Sequence, residues 1–277
     1  MSKLTKWTGA LLLVALFACG TFWLSTKHNA NASPQKKVNF TIPEPLFLVP
    51  GTGGEVDRFD DLITTLKKTS AGIDVLKLTV KTDDSIKVSG KLTKQTTHPI
   101  IVVAFEDASD PALPQQSRWF QEALTYVHER YGFETYNYLG HSNGGLIATG
   151  YLQNNRLPED PKLDHLVTLG TPYNDVGWEY NENNNSFVQP KDISPLFERY
   201  LQKAKELPKD IKVFNVIGNV DEKNSDEVVP MTSVLAGRTL YGESDLYQEL
   251  VFDDDAEHSA LVENDETIKL IQDFLFE

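Results

Sequence analysis

The sequence predicts an α/β fold: a mostly parallel central sheet flanked by helices, with a short insertion before the strand expected at residues 213–217. Three observations predict it. From Leu46 onward, strand and helix signals alternate, the order in which parallel strands are joined by crossover helices. Residues 99–105 form a continuous run rich in Ile and Val, as a strand buried on both faces requires. Residues 140–145 form a glycine-rich turn set directly between a strand signal and a helix signal. A chain of 277 residues, 40% of them hydrophobic, can bury one sizeable core.

The chain opens on an export signal. Lys3 and Lys6 precede an apolar run over residues 7–24, and Ala30-Asn31-Ala32 closes the polar stretch behind it as a small-x-small cleavage pattern. That run, 18 residues long, also suffices to cross a bilayer if it is never cut. Leu16-Phe17-Ala18-Cys19 loosely resembles a lipoprotein signal. Residues 1–32 therefore read as a signal peptide or membrane anchor, with cleavage after Ala32, an uncleaved anchor and a lipidated Cys19 all open. The protein is expected to be extracellular or at the cell surface, either secreted or tethered through residues 7–24. Residues 33–45 are polar and proline-bearing and read as a linker. Residues 46–277 read as one domain.

Within that domain, residues 46–49 are a short apolar strand ended by Pro50-Gly51. Residues 56–68 carry Val56, Phe59, Leu62, Ile63 and Leu66 at helical spacing. Residues 74–80 and 86–92 alternate in period two around Asp83-Asp84, which predicts an added hairpin. A helix over 115–131 has its apolar stripe on Trp119, Phe120, Leu124, Tyr126 and Val127. Strands follow at 135–139, 166–169, 213–217 and 250–252. Helices start at Leu146, run over 194–205, and close the chain over 259–274.

Composition excludes several function classes. The net charge is −14, from 26 Lys+Arg against 40 Asp+Glu, and no long basic run offers a footprint for nucleic acid. Removing residues 1–32 deletes Lys3, Lys6 and Lys27 and no acid, taking the charge to −17. The single cysteine excludes an internal disulfide framework and a cysteine-based zinc site.

The chemistry is concentrated in Gly140-His141-Ser142-Asn143-Gly144-Gly145, a G-x-S-x-G turn between strand and helix. Such a turn holds the serine in a strained backbone, and side chains at Gly140 or Gly144 are expected to collide with neighbouring strands. The helix that follows aims unpaired N–H groups at the reaction centre. A nucleophilic serine needs a base and an acid, in the chain order Ser, acid, His. Of the six histidines, only His165 and His258 follow Ser142. His165 starts a strand at the far end of the sheet, whereas His258 lies between the last strand and the last helix. His128 falls on a helix, and His141 is expected to pack beside the nucleophile. For the acid, Asp221, Glu222, Asp226 and Glu227 all follow the strand at 213–217. Asp226 is favoured because Val228-Val229-Pro230 can bury its loop, with Asp221 the next choice. The oxyanion donors are expected to be the N–H groups of Asn143 and of Thr52, the latter in Pro50-Gly51-Thr52-Gly53-Gly54. No Gly-Lys-Ser/Thr follows that loop, which argues against nucleotide binding.

Residues 47–54, the serine turn, Gly170-Thr171-Pro172, residues 225–230 and residues 257–261 resemble, in this order, the α/β-hydrolases. Most similar are bacterial cell-surface hydrolases, a lipase-like branch whose physiological substrates are largely undefined. The resemblance implies an α/β-hydrolase fold from about Leu46 to the C-terminus, with Ser142 as nucleophile, Asp226 as acid and His258 as base. Two positions depart from that pattern: Pro50 stands where a His-Gly motif has its His, and Glu227 follows the acid where Gly is usual.

In the insertion over 172–212, Trp178, Tyr180 and Phe187 either line an acyl or aromatic pocket or pin the loop to the body. The expected activity is hydrolysis of a small-molecule or lipid carboxylic ester through an acyl-enzyme, with no metal and no organic cofactor. Acyl transfer by the same residues, and a non-catalytic surface-binding role on the same scaffold, are the alternatives.

Overall fold

The computed structural model describes residues 40–182 and 184–276. The expected signal peptide or membrane anchor over 1–32, and most of the expected linker, lie outside the described residues. Among the described residues, no helix is long and apolar enough to cross a membrane. The last part of the linker lies against the domain: Phe40 meets Tyr131 at 5.7 Å between ring centroids, and the Ile42 N–H donates to the Gly132 carbonyl.

Eight strands form one sheet among the described residues, in the order β3-β2-β4-β1-β5-β6-β7-β8. They are β1 (Leu46–Val49), β2 (Ile73–Val80), β3 (Ile86–Gly90), β4 (His98–Phe105), β5 (Thr135–His141), β6 (Lys162–Leu169), β7 (Lys212–Gly218) and β8 (Leu246–Phe252). All neighbours pair in parallel except β3, which turns back on β2. That hairpin is the one expected around Asp83-Asp84. The helices are α1 (Asp60–Thr69), α2 (Leu113–Tyr131), α3 (Asn143–Asn154), α4 (Pro195–Leu201), α5 (Met231–Leu235), α6 (Gly237–Tyr241) and α7 (Asp265–Leu270).

Period-two alternation divides the core between the two faces of the sheet. On β1, Leu46 and Leu48 point into a cluster with Phe59, Leu62 and Leu66 of the α1 region and with Leu261 and Ile271 near the C-terminus. Phe47 points the other way, edge-on to Phe120 and Tyr136, and Phe120 of α2 continues to Tyr138 of β5 and Tyr151 of α3. Phe47 and Phe120 are fully buried, and burial of side chains this size is worth about 1.5–3 kcal/mol each.

Several helices differ from the periodicity, among them α3, which starts at Asn143 rather than at Leu146. Helix α1 starts at Asp60 rather than near Val56, because the glycine loop after β1 continues as turns up to Phe59, whose backbone (φ −106, ψ 15) is not helical. The helix expected over 194–205 ends at Leu201 and resumes as a single 3-10 turn at Ala204–Glu206. The C-terminal helix is interrupted: a 3-10 turn at Ala260–Val262 stops, and the Asn264 side chain accepts from the Glu266 N–H to cap α7 afresh.

The sheet order sets where a site forms. β1 lies between β4 and β5; its chain crosses over towards β2 on one side, while β5 leads to β6 on the other. A crevice opens outside the carboxyl ends of strands at such a reversal. The loop after β1 and the turn after β5 meet there: a Cβ on Gly51 would sit 2.6 Å from the Ser142 Cβ.

Candidate active site

Ser142 occupies φ 55, ψ −128, between β5 and α3. A positive φ in a non-glycine residue is strained, costing on the order of 1–3 kcal/mol, and its neighbours hold it there. The Ser142 N–H donates to the Leu169 carbonyl, and the Thr171 hydroxyl donates to the Ser142 carbonyl at 3.0 Å. Gly144 lets the turn press against β1, since a Cβ there would meet the Val49 carbonyl oxygen at 2.2 Å. Gly140 differs from expectation. Its Cβ would strike the backbone of Gly144 and Gly145 at the start of α3, not a neighbouring strand.

Asp226 lies in the loop after β7 and is 1% exposed. Its Oδ1 accepts from the N–H groups of Val228 at 3.0 Å and Val229 at 2.6 Å. Its Oδ2 accepts from His258 Nδ1 at 2.6 Å. Three donors thus surround a carboxylate whose burial alone would be costly. The His258 N–H also donates to the Asp226 carbonyl at 2.8 Å, so backbone and side chain both join the two loops. Glu227 makes the bend with φ 74, which answers the departure from glycine at this position. Asp221 stands apart from this pair: it is exposed and bonded to Lys223 at 2.9 Å.

With its Nδ1 proton directed at a carboxylate, His258 leaves Nε2 as the proton acceptor. His258 and Ser142 line the same cleft, about 1230 Å³ in volume, together with Thr52, Asp110 and Val228. Gly170 (φ 55) lets its backbone come close to the Asp226–His258 pair, where a Cβ would lie 2.7 Å from the Asp226 Oδ2 and 3.0 Å from the His258 Nδ1. Arg58 holds the far side of the histidine loop, donating to the Ser259 carbonyl at 2.5 Å.

His141 packs, and it does more than pack. Its Nε2 donates to the His258 carbonyl at 2.8 Å and its ring lies 4.7 Å from that of His258. Burial first, and then the neighbouring His258 and Arg58, push its pKa down to about 3. It is therefore a neutral prop beneath the histidine loop. His165 stands away from the cleft, bonded to Asn137 and Asp164. His128 faces Phe133.

The two expected oxyanion donors are neighbours at the cleft. Among the described residues, no backbone carbonyl accepts from the Thr52 or Asn143 N–H, and Asn143 opens α3, where such N–H groups have no intrahelical partner. Among the described residues, no cluster of His, Cys, Asp and Glu could hold a metal ion.

Comparison with known proteins agrees with the fold. The model of the family described as alpha/beta hydrolase of unknown function (DUF915) matches residues 33–277. The chain belongs to that α/β-hydrolase family. Among solved structures, the product of gene lin2722 of Listeria innocua is 30% identical, with a TM-score of 0.77, covering 84% of this chain and 94% of its own. A Lactobacillus plantarum WCFS1 protein described as a "putative cell surface hydrolase" is 29% identical, with a TM-score of 0.71, covering 85% and 92%. The Bacillus licheniformis lipase BlEst2, at 12% identity and a TM-score of 0.50 over 88% and 96%, shares the fold alone. No protein of curated function matches the chain.

The insertion contributes to the hydrolase cleft through Val176 and the α4 residues Leu196 and Arg199, not through the three aromatics singled out in the sequence. Phe187 packs on the cluster around Val229 and Met231 and under the Arg238 guanidinium, so it pins the loop. Trp178 is 54% exposed. Sequence reasoning passed over Asp110 and Arg58, both isolated charges without a motif.

Proposed function

We propose that the protein is an exported serine hydrolase that cleaves carboxylic esters through Ser142, His258 and Asp226. The observation that carries this reading is the 2.6 Å contact between the Asp226 Oδ2 and the His258 Nδ1, in the cleft that Ser142 enters from a strained turn. Ser142 Oγ attacks the ester carbonyl carbon and gives its proton to His258 Nε2. The oxyanion of the tetrahedral intermediate lies between the N–H groups of Thr52 and Asn143. As the intermediate collapses, the alkoxide leaves with the proton from His258, and an acyl-enzyme remains on Ser142. Water then attacks, its proton passing to His258 and on to Ser142, and the carboxylic acid departs. Asp226 fixes the tautomer and stabilises the imidazolium formed twice in each cycle.

Export rests on Lys3, Lys6, the apolar run over 7–24 and Ala30-Asn31-Ala32, with the cell-surface description of the Lactobacillus relative in the same direction. A panel of p-nitrophenyl esters of graded acyl length tests the reaction. Turnover by the wild type and none by Ser142→Ala is the expected result; turnover by neither on any ester contradicts it. The mass of the protein recovered from the medium tests export. A start at Ser33 indicates cleavage, and a membrane-bound full-length chain indicates the anchor.

A further inference from the structure

We propose that Asp110 is a positioning residue that fixes Thr52 and Asn143, and through them the two oxyanion N–H donors, in register with each other. The inference rests on the serine-hydrolase reading above and adds a part that neither the serine turn nor the family resemblance contains. Thr52 and Asn143 come from different strands, after β1 and after β5. Gly51 brings the two backbones together, since a Cβ there would lie 3.1 Å from the Asn143 nitrogen. A side-chain cluster then ties the two donor residues to each other across that contact. The Thr52 hydroxyl donates to the Asp110 Oδ1, and the Asn143 Nδ2 donates to the same oxygen at 2.8 Å. Asn143 Nδ2 also meets the Thr52 hydroxyl oxygen at 2.6 Å. The three side chains close a triangle around one carboxylate oxygen.

Asp110 is itself held. It opens the short 3-10 turn before α2, and the preceding loop is locked by Asp107, whose Oδ1 accepts from the Ser109 N–H and hydroxyl. The buried Gln116 of α2 donates to the carbonyls of Asp107 and Ser109, both at 2.9 Å. The Gly53 N–H donates to the Ala108 carbonyl at 2.9 Å, a second tie between the Thr52 loop and this one. Hydrogen bonds from Gln116 thus anchor the backbone that carries Asp110, and Asp110 in turn holds the side chains of the two donor residues.

Electrostatics points to the same role. A carboxylate near a developing oxyanion opposes it by charge repulsion, so a charge at position 110 has no direct benefit for the transition state. What Asp110 supplies is an acceptor with two lone-pair directions at Oδ1, and an asparagine carbonyl supplies the same. Preorganised donors are effective because they need no rearrangement as charge develops, and small misplacements cost steeply.

The test is steady-state kinetics on p-nitrophenyl butyrate, with inhibition by an aliphatic trifluoromethyl ketone, which adds Ser142 and places an oxyanion between the two N–H groups. Asp110→Ala is expected to lower kcat by about 10- to 100-fold, to leave KM nearly unchanged and to weaken the ketone by a similar factor. Asp110→Asn is expected to restore most of both. Thr52→Val keeps its N–H but loses its hydroxyl, and should reproduce the alanine variant; combining it with Asp110→Ala should add little. Should Asp110→Ala not fold, Thr52→Val and Asp110→Asn decide in its place. An asparagine variant as impaired as the alanine one, or wild-type kcat and ketone affinity in Asp110→Ala or Thr52→Val, overturns the proposal. Failure of the underlying reading shows differently, as turnover that persists in Ser142→Ala, and it takes the proposal with it.

Discussion

The turn at Ser142 and the loop that carries Asp226 both run through positive φ, yet they reach it by opposite routes. Around Ser142 the route is steric. Gly51, Gly140 and Gly144 sit where a Cβ would strike Ser142, the start of α3 or the Val49 carbonyl. Around Asp226 the route is polar. Asp221, Glu222, Asn224 and Glu227 all have positive φ, and none is glycine. The conformation is held by side chains that reach back to N–H groups: the Asn219 Oδ1 to Asn224 at 2.9 Å, the Ser225 Oγ to Glu227 at 3.1 Å, and the Asp226 Oδ1 to Val228 and Val229. Close approach of backbones leaves a glycine signature, whereas polar loop-holding uses residues common to any surface loop.

The comparison breaks most visibly at the acid. Asp226→Asn is expected to lower kcat by about 10⁴-fold through loss of tautomer control and imidazolium stabilisation, with the fold retained by circular dichroism. Asp221→Asn should stay close to wild type, since Asp221 contacts Lys223 and solvent. The reverse ranking moves the acid to Asp221.

Stability should separate the two routes next. Gly144→Ala forces a Cβ against the Val49 carbonyl, and urea unfolding should register a loss of about 1–3 kcal/mol or more. Glu227→Ala leaves a non-glycine residue at a φ already tolerated, and should cost less than about 1 kcal/mol. Equal losses would mean that both loops are set sterically.

A third effect belongs to the prop under His258. His141 is buried and neutral, with its pKa lowered to about 3, against about 6.5 in the unfolded chain. Between these values the unfolded state binds more protons, so stability rises with pH across the window. The contribution is complete above about pH 6.5 and is lost as pH falls towards 3. Melting temperatures from pH 7 down to 4 should therefore decline less steeply in His141→Gln, whose amide can still donate to the His258 carbonyl. Parallel declines in the two proteins would contradict the assignment.

The smallest effect is expected from Glu227→Gly. Relief of positive φ, worth about 1–2 kcal/mol in a non-glycine residue, is largely offset by glycine's greater unfolded entropy, about 0.5–1 kcal/mol. A slight rise in melting temperature with unchanged kcat is the expected outcome. A marked fall in kcat would show that the Glu227 side chain acts at the site.

The same contrast explains what the sequence displays. β1 is readable residue for residue because an apolar run ends at Pro50-Gly51, and Ser142 is readable because its glycines are steric necessities. His258 follows from chain order. The bend at Glu227 could not be read, because hydrogen bonds rather than glycine maintain it. The helices α5 and α6 went unassigned because residues 231–241 are buried on many sides, so no single apolar stripe appears. The late start of α1 at Asp60 was hidden because Val56 and Phe59 keep helical spacing while the backbone still turns. Asp110 has meaning only once three loops are brought together.

The central claim is that Ser142 is a nucleophile activated by His258 and Asp226. A fluorophosphonate probe tests it most directly, read by intact mass on the wild type, Ser142→Ala and Asp226→Asn. The account predicts one phosphonyl adduct per wild-type chain, none on Ser142→Ala, and much slower labelling of Asp226→Asn. An adduct that persists in Ser142→Ala would contradict it.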